Sequence, residues 1–121
     1  MFIIRKQHME AFAGVAMRNY EDRLLEHVRE SFPEQVKTDG DAKTRETIQA
    51  GIQSARRHSL LTERDAALYI EVMYILGPEF ETDPRYPWAG EILQGTGNGA
   101  PAGKAERLHA RASEAARATD G

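Results

Sequence analysis

Cysteine is absent from this 121-residue chain. That absence removes disulfides, thiolate zinc sites, iron–sulfur clusters and Cys nucleophiles together. Long apolar runs are missing too. Phe2-Ile3-Ile4 and Tyr74-Ile75-Leu76 fall far short of the roughly 18 to 20 residues that a membrane span requires. The start, Met1-Phe2-Ile3-Ile4-Arg5-Lys6, lacks the basic, apolar and small-residue order of a secretory signal, so a cytoplasmic location is expected. Neither sign of charge dominates: sixteen Lys and Arg face nineteen Asp and Glu, a net charge of −3, which argues against phosphate-driven binding to nucleic acid. What is present, 40% hydrophobic and 29% charged residues at a mean hydropathy of −0.59, is the composition of one soluble globular domain.

The apolar residues recur at helical spacing. Between residues 5 and 31 there is no proline, and Met9, Phe12, Val15 or Ala16, Tyr20, Leu24 and Val28 mark one face of a long amphipathic helix. Ser31-Phe32-Pro33 stops it, and Thr38-Asp39-Gly40-Asp41 reads as loop and cap before a second helix. There Ile48, Ile52 and Ala55 or Arg56 form the buried stripe, with Gly51 beside it for close packing. Thr62-Glu63-Arg64-Asp65 resembles a capping box and opens a third helix, apolar on more than one side, that Gly77-Pro78 terminates. A short fourth helix is expected from Pro87 to Leu93. The expected architecture is therefore all-α: three main helices, a proline- and aromatic-rich loop and a short fourth helix within residues 1–94. Residues 95–121 are expected to be a flexible linker and a tail, either a single helix or disordered, that adds little to the core. The encircling apolar face of the third helix makes a homodimer conceivable.

Catalytic parts are scarce. Gly95-Thr96-Gly97-Asn98-Gly99-Ala100 matches a dinucleotide fingerprint in form only, since no strand precedes it and Pro101 follows at once. His8, His27, His58 and His109 fall in separate segments without an H-E-x-x-H pair, and no serine has a G-x-S-x-G setting. Neither a cofactor nor a metal is expected, and the chain is read as a non-enzyme.

Packing least explains Gly77-Pro78-Glu79-Phe80-Glu81-Thr82-Asp83-Pro84-Arg85-Tyr86-Pro87-Trp88. Aromatics and an arginine on a proline-stiffened loop are the residue types of interface hot spots, and such a loop loses little entropy on binding. Phe80, Arg85, Tyr86 and Trp88, with Tyr74 in support, form the candidate contact cluster for a protein partner. Phe80 and Trp88 serve equally well as a lid on a small helical core.

At these residues the chain resembles a known pattern: Ile4-Arg5-x-x-x-Met9, Phe32-Pro33, Ile48-x-x-Gly51-Ile52-x-x-Ala55, Thr62-Glu63-Arg64-Asp65, and Leu76-Gly77-Pro78-x-Phe80 leading into Asp83-Pro84-x-Tyr86-Pro87-Trp88-Ala89. It is similar, over about residues 3 to 94, to a family of small helical bacterial proteins encoded among type VI secretion effector genes. The resemblance carries no catalytic motif. It implies an adaptor or co-chaperone for a secretion effector, or alternatively an immunity protein that neutralises a cognate toxin. Its expected partner is an effector or that effector's chaperone or spike protein.

Overall fold

Prolines at two helix starts and positive φ angles at three helix stops punctuate the chain. The computed structural model describes the backbone over residues 6–94 and 103–120, and side chains over 18–94 and 103–118. Six α-helices result: α1 (Lys6–Ser31), α2 (Pro33–Asp39), α3 (Asp41–Arg57), α4 (Glu63–Leu76), α5 (Pro87–Leu93) and α6 (Lys104–Asp120), with a 3-10 turn at Phe80–Thr82 between α4 and α5. No strand occurs among the described residues. The all-α expectation holds at this level. Met9, Phe12 and Val15 lie outside the described side chains, as does the glycine-rich stretch 95–102.

The chain divides into two compact units, residues 1–45 and 46–121, with the boundary inside α3. In the first unit Pro33 both ends α1 and begins α2, because a proline at a first helical position forfeits no helix hydrogen bond. The stretch read as loop around Thr38-Asp39 is therefore the end of a short helix, which Val36 anchors by burial and Gly40 terminates at φ 85°. Arg29 lies 2.7 Å from Glu26 and 3.0 Å from Asp41. Arg45 lies 2.7 Å from Asp22 and 3.7 Å from the buried Glu21. These pairs tie α1 to the start of α3, and the acceptors around Arg29 hold its already high pKa higher still.

The second unit holds the candidate site. Thr62 caps α4 by accepting a hydrogen bond from the Asp65 backbone N–H at 3.0 Å, as the sequence indicates, and Gly77 ends that helix at φ 114°. Along α4, Ala66, Tyr69, Ile70, Val72, Met73 and Leu76 are buried. At Gly51 an added Cβ would stand 2.6 Å from Ile70 Cγ1 and 3.0 Å from Met73 Sδ, so the backbone of α3 can approach α4 only with glycine there. Helix α3 closes in a Schellman arrangement, with the Leu60 N–H on the Ala55 carbonyl at 2.9 Å and the Ser59 N–H on that of Arg56 at 3.0 Å. Ser59 fills the left-handed position, φ 64°, that glycine usually takes.

Of the two alternatives for the tail, the single helix is the one seen, and its expected small share of the core needs correction. Helix α6 packs against α4 and α5, and Ala105, Leu108 and Ala112 are completely enclosed. The sequence shows one large apolar residue there, which suggests little core. Alanines three residues before it and four after it let the helix axis come close, so a modest apolar stripe suffices to dock it.

Candidate protein-contact surface

Backbone hydrogen bonds within the loop fix its path from Gly77 to Ala89. The N–H groups of Phe80, Thr82 and Asp83 donate to the carbonyls of Gly77, Glu79 and Phe80 at 3.2 to 3.3 Å. The N–H of Tyr86 then bonds Asp83 at 3.0 Å and that of Ala89 bonds Tyr86 at 3.1 Å. With Pro84 and Pro87 restricting φ as well, side chains on this segment are held before any partner arrives.

Its first half points inward. Phe80 is 1% exposed, its ring 5.2 Å from that of Tyr69, so it closes the core. The same ring that reads in sequence as a hot-spot candidate follows a glycine-ended helix through a tight turn, which swings it back onto α4. Glu81 is clamped from two sides: the buried Tyr69 hydroxyl donates to Oε1, and His58 Nε2 lies 3.0 Å from Oε2. Lys104 Nζ donates to the carbonyls of His58 at 3.1 Å and Leu93 at 3.3 Å, so one half-buried ammonium serves the chain just beyond α3 and the last residue of α5.

The second half points outward. The Arg85 guanidinium forks onto Asp83, with Nη2 2.8 Å from Oδ2 and Nε 3.1 Å from Oδ1, while the Arg85 backbone N–H donates to Oδ1 at 2.9 Å. This pairing holds the Asp83 carboxyl below its usual range and raises the Arg85 pKa. From there a row of planar groups crosses the surface. Arg85 Cζ stands 5.2 Å from the Tyr86 ring centre, and Tyr86 meets Trp88 edge-on at 5.8 Å. Arg111, from α6, stands 5.4 Å over Trp88. Cation–π and edge-on aromatic contacts together hold the row in place. Arg85 also borders a shallow groove of about 200 Å³, lined by Leu76, Pro78 and Phe80 and edged by Glu79 and Asp83.

No known family model matches the chain, and no characterised protein or solved structure proved similar to it. Three of the sequence candidates, Arg85, Tyr86 and Trp88, thus stand together at the surface. Phe80 is withdrawn into the core, and Tyr74 is half-buried on α4 outside the lining of the groove. Arg111 escapes sequence reading because it lies in a segment read as tail; the only signal was the three- and four-residue spacing of Ala105, Leu108 and Ala112, which marks a buried stripe. Among the described residues no three His, Asp or Glu side chains converge as a metal-binding group, and no helix is long and apolar enough to cross a membrane.

Proposed function

We propose that this chain is a non-enzymatic protein-binding accessory, an adaptor or co-chaperone for a type VI secretion effector, acting in the cytoplasm. The observation that carries the binding reading is the Arg85–Tyr86–Trp88–Arg111 row. Two aromatic rings and two guanidinium groups sit on a backbone ordered in advance, and these are the side chains that dominate interface energetics. The row offers recognition without reaction: each guanidinium lies against a ring, the edge of Arg85 is turned to Asp83, and Arg111, with one long bond to Glu114, keeps N–H groups for acceptors on a partner. The secretion role rests on the sequence resemblance, whose most distinctive part, Asp83 to Trp88, is the stretch that builds the row.

The test is capture by tagged wild-type chain and by Trp88→Ala and Arg85→Ala variants from host cells with secretion active, followed by mass spectrometry. An effector recovered together with a spike or chaperone protein, and lost with Trp88→Ala while circular dichroism stays unchanged, supports the proposal. A toxin recovered alone, with protection of cells expressing it, replaces the adaptor role by immunity. Recovery unaffected by either variant removes the row, and no recovery overturns the binding reading.

A further inference from the structure

Lys104, Arg107 and Arg111 follow one another on α6 at three- and four-residue steps, which places them on one side of the helix. Lys104 reaches the Leu93 carbonyl and Arg111 covers Trp88; both targets belong to α5, so this side of α6 flanks α5. Lys104 is satisfied by two carbonyls. Arg107 is half-buried, and its Nε is shielded from solvent with no hydrogen-bond partner among the described residues. Arg111, 52% exposed, makes only a long 3.3 Å bond to Glu114.

Two guanidinium groups one helical turn apart repel each other, and an anion placed between their outer N–H groups relieves that repulsion. The cation–π contact with Trp88 holds Arg111 in place, and a guanidinium so placed suits a planar carboxylate acceptor. The site adjoins the indole of Trp88 and the phenol of Tyr86, apolar area that a free anion would leave unused and a peptide would cover. The chain's net charge of −3 disfavours an extended polyanion.

We infer that Arg107 and Arg111, beside Trp88, seat carboxylates of an acidic segment of the partner protein, a deepening that rests on the reading of the row as a protein-contact surface. Trp88 is the only tryptophan of the chain, so its emission reports on this site directly. The full chain is titrated with a terminally blocked peptide containing a Glu-Leu-Glu step, with the same peptide carrying Gln for Glu, and with inorganic phosphate.

The Glu peptide is expected to change Trp88 emission saturably. Its affinity should fall about tenfold or more in Arg107→Gln and on raising salt from about 0.05 to about 0.5 M, with partial recovery in Arg107→Lys. The Gln peptide should produce no such change. Equal affinity of Arg107→Gln, equal binding of the Gln peptide, or no binding of either peptide overturns the seat. Phosphate binding as tightly as the Glu peptide reduces it to a free-anion site and overturns the protein partner. In the capture experiment, loss with Trp88→Ala but not with Arg107→Gln overturns the seat and leaves the contact surface standing, whereas loss with neither overturns the contact surface itself.

Discussion

Phe80 and Trp88 belong to one proline-bound segment, yet the first ring is sealed against Tyr69 and the second lies at the surface beneath an arginine. The two halves differ in what their polar neighbours do. In the first, Glu81 reaches inward to Tyr69 and His58 and pulls the 3-10 turn onto the helices. In the second, Asp83 turns back on Arg85, two residues away, so its hydrogen bonds organise the loop without anchoring it to the core. A loop can thus be stiff in both halves for different reasons: one half is held by the fold, the other by itself. Only the second kind leaves its aromatic area available to a partner.

The largest expected effect would break this contrast outright. Phe80→Ala removes a fully enclosed ring and should lower the unfolding free energy by about 3 to 5 kcal/mol, read as a drop in the urea midpoint at unchanged slope. Trp88→Ala, losing a partly exposed ring, should cost about 1 kcal/mol and leave the circular dichroism spectrum intact. Equal costs at the two positions would mean that Trp88 is a core residue and that the surface row has been misjudged.

A smaller effect sharpens the account of the inner half. Glu81→Ala strips the acceptor from the buried Tyr69 hydroxyl and the partner from His58, and should cost about 2 kcal/mol. Tyr69→Phe leaves Glu81 its His58 partner and removes donor and cost together, so about 1 kcal/mol is expected. Equilibrium denaturation of both variants and of the double variant measures the coupling. Additive losses would show that Glu81 does not link the 3-10 turn to α4.

Much of the second unit was legible in the sequence, because its signals are local. Thr62 with Asp65, Gly77-Pro78 and Pro87 act within a few residues of themselves, and Gly51 declares a close approach wherever its partner lies. The direction of Phe80 was not legible, since it depends on a turn that only the docked helix α4 completes. Nor was the docking of α6: its stripe is mostly alanine, whose contribution comes from the closeness it permits, and closeness exists only once α4 and α5 are in place. The row was therefore half visible. Arg85, Tyr86 and Trp88 are neighbours in sequence, whereas Arg111 joins them through the packing of a helix that looked dispensable.

The smallest expected effect concerns the outer half and is read most directly by titration. Side-chain and backbone hydrogen bonds from Arg85 depress the Asp83 pKa below its usual value of 3.8. A carboxyl whose folded pKa is lowered contributes stability fully above the unfolded value and loses it as pH falls through the folded one, so acid, not base, should loosen the fork. Carbon-detected NMR titration of the Asp83 carboxyl should give a midpoint below the usual value in the wild type and one near it in Arg85→Ala. The neutral-pH unfolding midpoint should scarcely move, because the Arg85 side of the pair is open to solvent and screened. An undepressed Asp83 in the wild type would mean that the fork does not persist in solution. Tyr86 and Trp88 would then be ordered by their prolines and by Arg111, and Asp83→Asn should leave partner binding unchanged. A depressed Asp83 together with weakened binding in Asp83→Asn would show instead that this local carboxylate sets the angle at which the row meets its partner.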